Sequence, residues 1–460
     1  GAGSPASSAA QFSGLSCSIH QVFDLWLHPM ALASCVAGPY PALAASLSRQ
    51  PGWRGTAGLR AAPAGPPADP GATVRLPRSK PGPALSSRHA GVAKHVLSAA
   101  VKPDETDSEL VFPAAVRPVA EQRYYEWGAG KRVAYRVLNQ GGLEVAPLVL
   151  LTGFGVGSFH YDRLLKEMKG DRRDIYLMDF FGQGSSWPSI DPCPSTDSMD
   201  AEAGFEHGFG TGPVASEFDG FRFSADMWTE QVEHFVREIV GRKAVLCGNS
   251  LGGFIAVNLA STRPELVEGL VLLNATPFWG TTAVSFWNGL YPVPPLLKII
   301  GTQWWNSIRS PTTIRSLLDF VYAKPYASGG YTAELVEQII EPTRQKAAAS
   351  AFCSILFSPP PERSFEHMLH DVKQSGIPCL LAYGREDPWV VPLWAMRLQR
   401  QLDTQSHYYE LTPAGHCPQD EAPEAVAFLI DTFCEYVAGT REAMPQSPQL
   451  ELGETKVIFH

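Results

Sequence analysis

The sequence predicts an α/β fold: a mainly parallel central sheet flanked by helices and interrupted by a helical cap. Three observations lead there. Short apolar runs alternate with stretches of helical period along most of the chain, the pattern of strands joined by crossover helices. One junction, Ala244-Val-Leu-Cys-Gly-Asn-Ser-Leu-Gly-Gly253, carries G-x-S-x-G between a strand-like and a helix-like run. An insertion of helical segments rich in aromatic residues separates two blocks of the alternating pattern.

The elements follow in order. Folded structure is expected from about Tyr124, and Lys131–Val137 alternates like an exposed strand. Pro147–Thr152 is a continuous apolar run, as in a buried parallel strand, and it exits into Gly153-Phe154-Gly155-Val156-Gly157. Asp174–Asp179 is the next strand. Ser224–Val240 places Trp228, Val232, Phe235, Val236 and Ile239 on one helical face. Further strands are Leu270–Asn274, Pro378–Tyr383 and His407–Leu411, with helices over Pro392–Leu402 and Pro423–Val437. The loop 188–223 is acidic, rich in Gly and Ser, and without period. The domain reading is a first core segment 120–277, a cap 278–374 with helices near Thr312–Tyr322, Thr332–Ile340 and Arg344–Phe357, a second core segment 375–438, and a tail 439–460.

Composition narrows the function. A net charge of −9 gives no basic surface for nucleic acid. The cysteines at 17, 35, 193, 247, 353, 379, 417 and 434 contain no C-x-x-C pair and no metal-ligand spacing, and read as scattered reduced thiols. Residues 1–100 differ from the rest. They are rich in Ala, Ser and Pro, and carry Arg49, Arg54, Arg60, Arg75, Arg78, Lys80, Arg88 and Lys94 against Asp24 and Asp69. A basic, Ser-rich, acid-poor segment of this kind has the composition of an organelle transit peptide, the alternative being a disordered Pro/Ala-rich tail without an address. The apolar run Leu25–Ala45 is broken by Pro29, Pro39 and Pro41, which argues against a membrane span.

G-x-S-x-G between strand and helix lifts the serine hydroxyl above the sheet on a sharp turn. A serine hydroxyl is a weak nucleophile and needs a base, which in turn needs an orienting acid. On this fold the partners follow the serine in the order acid, then histidine, at later strand ends. Tyr383-Gly-Arg-Glu-Asp-Pro-Trp389 leaves one apolar strand and Pro413-Ala-Gly-His416 leaves the last, so Ser250, Asp387 and His416 are expected as nucleophile, acid and base. Glu386 is a rival acid, and Asp179, which precedes the serine, a weaker one. An oxyanion hole of backbone amides is expected from Leu251, directly after the serine, and from Phe154 in the Gly-rich loop. That loop lacks the Gly-Lys-Ser/Thr ending of a phosphate loop. Epoxide hydrolases and haloalkane dehalogenases of this fold use an elbow aspartate, so Ser250 favours ester hydrolysis through an acyl-enzyme.

Leu150-Leu-Thr-Gly-Phe-Gly-Val-Gly-Ser-Phe-His-Tyr161, Gly248-Asn-Ser-Leu-Gly-Gly253, Leu272-Leu-Asn-Ala-Thr-Pro-Phe-Trp-Gly280, Tyr383-Gly-Arg-Glu-Asp-Pro-Trp-Val390 and Pro413-Ala-Gly-His-Cys-Pro418 together resemble the pheophytinases, chloroplast α/β-hydrolases that remove phytol from magnesium-free chlorophyll. The resemblance spans about Tyr124 to Val437. It implies the α/β-hydrolase fold, the same triad, pheophytin as substrate, and no metal or organic cofactor. It also implies a chloroplast stromal location beside the thylakoid surface and other proteins of chlorophyll breakdown. A chlorin and a long isoprenoid chain both need apolar walls, for which Phe278, Trp279 and Trp389 are the expected contacts. The alternatives are a related chloroplast esterase, a lipase or chlorophyll dephytylase, and a receptor-like binding protein on a hydrolase scaffold.

Overall fold

The computed structural model describes residues 120–138, 145–168, 173–192, 214–281, 288–292 and 305–460. The basic first hundred residues, and Phe286, Trp287 and Trp304 of the insertion, lie outside the described residues.

Among the described residues one sheet contains β1 (Glu121–Glu126), β2 (Lys131–Leu138), β3 (Leu148–Leu151), β4 (Ile175–Met178), β5 (Trp187–Pro188), β6 (Ala244–Asn249), β7 (Val267–Leu273), β8 (Cys379–Gly384), β9 (Ser406–Thr412), β10 (Gln449–Leu452) and β11 (Thr455–Phe459). The spatial order is β1-β2-β4-β3-β6-β7-β8-β9-β11-β10, with β5 paired to β2. Neighbours from β4 through β9 run parallel, while the pairs at either end are antiparallel.

Alternation along the central strands explains why two helical layers are needed. Val149, Leu151, Leu246, Leu270, Leu272 and Leu381 face one layer, and Leu148, Leu150, Val245, Val271, Leu273 and Leu380 face the other. With both faces apolar, a parallel strand reads as a continuous hydrophobic run, as Leu-Val-Leu-Leu does in β3. The helices, in chain order, are α1 (Asp162–Glu167), α2 (Ala225–His234), α3 (Leu251–Thr262), α4 (Pro311–Val321), α5 (Ala333–Ile340), α6 (Ala348–Leu356), α7 (Phe365–Ser375), α8 (Leu393–Leu402), α9 (Pro418–Glu421) and α10 (Pro423–Val437). Every residue of α3 from Leu251 to Ala260 is buried, the signature of a helix wedged between the sheet and other helices rather than lying on a surface. None of these helices is long and apolar enough to cross a membrane.

The cap helices form where the sequence supplies caps and stripes. Ser310 Oγ accepts the Thr313 amide at 3.2 Å and Pro311 opens α4. Thr332 Oγ1 accepts the Leu335 amide at 3.1 Å before α5. Ile314, Leu318 and Val321 of α4 then bury against Leu335, Val336, Ile339 and Ile340 of α5. A capping hydroxyl is worth about 1 kcal/mol, so this apolar seam does most to hold the pair together.

Four regions differ from the sequence reading. Lys131–Val137 is an inner strand, with Val133, Ala134 and Val137 buried; Arg136 is tolerated there because Asp162 pairs with it at 2.7 Å. Helix α7, inside the segment 278–374 read as cap, packs on α3 and α8, with Phe365 stacked on Phe254 at 5.3 Å and Met368, Leu369 and Val372 in the main core. The end of the loop 188–223 is ordered by aromatics: Phe218, Phe221 and Phe223 pack around Phe181 and Tyr291. Residues 193–213 of that loop lie outside the described residues. The tail contributes the hairpin β10–β11, which extends the sheet beyond β9.

Candidate active site

Ser250 sits at the junction of β6 and α3 with φ 51° and ψ −115°, in a region that costs a non-glycine residue about 1–3 kcal/mol. The surroundings impose this geometry. The Ser250 amide donates to Leu273 O at 3.0 Å, and its carbonyl accepts the Thr276 amide at 3.2 Å. The two glycines of the motif are required by contact. A Cβ on Gly248 would lie 2.2 Å from the Gly252 carbonyl carbon, and one on Gly252 would lie 2.3 Å from Leu151 O. The serine is thus held at a strained strand-to-helix turn, 8% exposed.

Leu251 opens α3, where an amide has no intrahelical acceptor. A Cβ on Gly153 would lie 3.6 Å from Ser250 Cβ, so the turn carrying Phe154 runs alongside the serine. Two chain segments, the turn after β3 and the start of α3, therefore meet beside Ser250.

Asp387 follows β8 and is 3% exposed. Its Oδ2 accepts from Asn274 Nδ2 at 2.7 Å and lies 2.7 Å from His416 Nδ1. Its Oδ1 accepts the amides of Trp389 at 2.7 Å and Val390 at 3.0 Å. Burial alone would raise this carboxyl, but the facing His416 ring and the two amides outweigh it and hold the group below the usual carboxylate range. An ionised Asp387 makes Nδ1 of His416 the protonated nitrogen. Nε2 is then free to take a proton. The ring packs edge-on against Trp389, with centroids 5.1 Å apart. Among the described residues no direct hydrogen bond joins the Ser250 hydroxyl to His416; contacts of this kind are often long without substrate and tighten in its complex. The two loops are joined instead through Asn249, whose Nδ2 donates to His416 O at 2.9 Å and to Leu273 O at 3.0 Å.

The rival acids are engaged elsewhere. Glu386 accepts from Thr412 Oγ1 at 2.7 Å and from the Ala414 amide at 2.9 Å, bracing the turn before His416. Asp179 accepts the amides of Ser158 at 2.6 Å and Ser185 at 2.7 Å, which ties the turn after β4 to the loop after β3. Burial raises Asp179 above the usual range, against the pull of those amides and of Arg136.

Of the expected apolar contacts, Trp279 is half-buried and forms a wall with Phe154, 5.5 Å away. Trp389 lies between His416 and the half-exposed Phe320, 6.2 Å from the latter. Phe278 is half-buried beside Trp279 in sequence, with its carbonyl accepting from Thr276 Oγ1 at 2.9 Å. Sequence reasoning missed Phe352, which continues the wall 5.1 Å from Phe154. It also missed Asn274, which holds Asp387 and, through Oδ1, the Gly384 amide at 2.9 Å. The signal for Asn274 was a polar residue ending an otherwise apolar strand; φ of 43° there suits Asn better than other non-glycine residues. Phe352 sits inside a helical stripe and carried no such mark.

Residues 148–427 match the alpha/beta hydrolase family. The chain is 37% identical over 355 residues to "Pheophytinase, chloroplastic" of Arabidopsis thaliana, covering 75% of this chain and 71% of that one. It is 27% identical over 216 residues to a 2-hydroxymuconate semialdehyde hydrolase of Pseudomonas putida, covering 46% of this chain and 69% of that one. Among solved structures, the enol-lactonase from Burkholderia xenovorans superposes with a TM-score of 0.48 at 16% identity, over 68% of this chain and 99% of the other. The chain belongs to the alpha/beta hydrolase family, as an esterase-type hydrolase related to pheophytinase.

Proposed function

We propose that the chain hydrolyses the phytyl ester of pheophytin to pheophorbide and phytol, with Ser250 as nucleophile, His416 as base and Asp387 as its orienting acid. The observation that carries the substrate is the 37% identity to pheophytinase across most of both chains; the 2.7 Å contact of Asp387 with His416 supports the chemistry. His416 Nε2 takes the Ser250 proton as Oγ attacks the ester carbonyl. The developing oxyanion faces the amides of Phe154 and Leu251, each such donor worth roughly 3–4 kcal/mol. The tetrahedral intermediate collapses to an acyl-enzyme on Ser250, and His416 gives its proton to the departing phytol oxygen. Water, deprotonated by the same ring, then attacks the acyl-enzyme and releases pheophorbide and the serine hydroxyl. Trp279, Phe278 and Trp389 supply apolar wall for the chlorin and the isoprenoid chain. The same relative's printed description, chloroplastic, and the basic N-terminal composition support a chloroplast location, at the thylakoid surface where such a pigment resides.

The test is product analysis by chromatography after incubating purified protein with pheophytin and chlorophyll side by side. Pheophorbide and phytol from pheophytin, faster than any release from chlorophyll, is the expected result. Equal rates on both pigments, or none on either, reject pheophytin as the preferred substrate.

A further inference from the structure

Three consecutive cap residues grip the loop that carries His416. Val321 O accepts the His416 amide at 2.9 Å. The Ala323 amide donates to Glu421 at 2.7 Å, and the same carboxylate accepts the amides of Gly415 at 2.9 Å and Cys417 at 3.0 Å, on either side of His416. A Cβ on Gly415 would lie 2.3 Å from Val321 O, so the approach is as close as backbone allows. Between them stands Tyr322, 4% exposed, whose hydroxyl donates to Asp420 Oδ2 at 3.1 Å and lies 2.9 Å from His160 Nε2.

The direction of that chain is fixed by its ends. Asp420, also 3.5 Å from Arg163 Nη1, accepts from the Tyr322 hydroxyl, so the Tyr322 oxygen is the acceptor for His160 Nε2–H. His160 Nδ1 is left to accept from Gln419 Nε2 at 3.4 Å. Burial pushes His160 below the ordinary histidine value, in keeping with this neutral tautomer. The chain joins the segment after β3, which also carries Phe154, to the cap and to the residues directly after His416. Packing does not require the hydroxyl: the Tyr322 ring already has its partner in Tyr331, 5.4 Å away, and a phenyl ring would keep that contact.

We propose that Tyr322 is a positioning residue, and that its hydroxyl, bonded to His160 and Asp420, seats the His416 loop against Ser250 only when the cap is in place. The proposal rests on the reading of His416 as the base. Since a misplacement of about 1 Å can cost on the order of a hundredfold in rate, loss of the hydroxyl acts on turnover rather than on substrate affinity.

The experiment measures kcat and KM of Tyr322→Phe, Asp420→Asn and the double variant on p-nitrophenyl butyrate, an ester too small to need the aromatic walls, with His416→Ala alongside. Tyr322→Phe should lower kcat roughly tenfold to a hundredfold with KM within about twofold, the signature of a transition-state effect. Asp420→Asn should do the same, and the double variant should be no worse than either single one, because they break one chain. Wild-type kcat in Tyr322→Phe, a raised KM at unchanged kcat, or additive losses overturn the proposal; should Tyr322→Phe not fold, Asp420→Asn carries the same prediction. An inactive His416→Ala beside a fully active Tyr322→Phe rejects only the positioning role. Wild-type activity in His416→Ala rejects the proposed function itself.

Discussion

The turns leaving β4 and β8 form an instructive pair. Each places an aspartate at the end of a parallel strand, each side chain is almost fully buried, and each accepts two backbone amides through short hydrogen bonds. Yet Asp179 is shifted above the usual carboxylate range and Asp387 below it. Burial pushes both upward. The difference is an imidazole 2.7 Å from Asp387, aided by the Asn274 amide, where Asp179 has two backbone amides, the Ser158 side chain and the charge of Arg136. What faces a strand-end carboxylate, not its place on the sheet, sets the direction of its shift, and on the proposed reading it is what makes Asp387 the orienting acid. Asp179 reads instead as a staple, holding the loop that carries Phe154 to the turn after β4.

Substitutions sharpen or break this contrast, beginning with the reference point both carboxylates are measured against. Ser250→Ala should lower kcat on the order of 10⁶-fold, measured as pheophorbide release; retained turnover would remove the reason for comparing the two sites. Asp387→Asn should cost about 10⁴-fold in kcat, because an amide can favour the wrong His416 tautomer, while Asp179→Asn should leave the rate within about tenfold and instead lose about 1–3 kcal/mol of stability from under-satisfied buried amides. Equal rate losses in the two variants would erase the distinction. Asn274→Ala removes one bond to the ionised acid, worth about 1.5–3 kcal/mol, and should lower kcat roughly tenfold or more. Glu386→Gln, on the residue beside Asp387 in sequence but turned toward Thr412 and Ala414, keeps one oxygen to brace the turn and should cost about 0.5–1.5 kcal/mol in thermal unfolding, with kcat lowered less than about tenfold.

The opposite shifts also predict opposite pH trends in stability. The folded-state pKa of Asp387 is depressed, so its contribution is present above the unfolded value of about 3.9 and is lost as pH falls through the lower folded value. Asp179 is raised, so its contribution is complete below about 3.9 and is lost as pH rises through the higher folded value. Thermal unfolding of the two Asn variants against the wild type, from acid to neutral pH, should show the Asp387→Asn deficit growing and the Asp179→Asn deficit shrinking. Parallel trends would mean that the imidazole does not set the difference.

The sequence by itself determined the inner parallel strands and the ends on which the candidate residues stand, because a parallel strand buried on both faces reads as a continuous apolar run and turn-forming residues follow it. Ser250, Asp387 and His416 were expected on that ground: Ser250 and Asp387 follow such a run within a few residues, and His416 follows the last parallel strand, Ser406–Thr412. Asp387 could be preferred to Glu386 only on order and motif; the choice became physical when the fold aimed one side chain at the imidazole and the other at Thr412. Tertiary structure alone decided that Asn274 braces the acid, that Phe352 continues the aromatic wall, that α7 belongs to the core, and that Tyr322 reaches both His160 and Asp420. Those partners lie about a hundred positions or more apart in the chain, and local periodicity says which face of an element is buried but carries no information about what is packed against it.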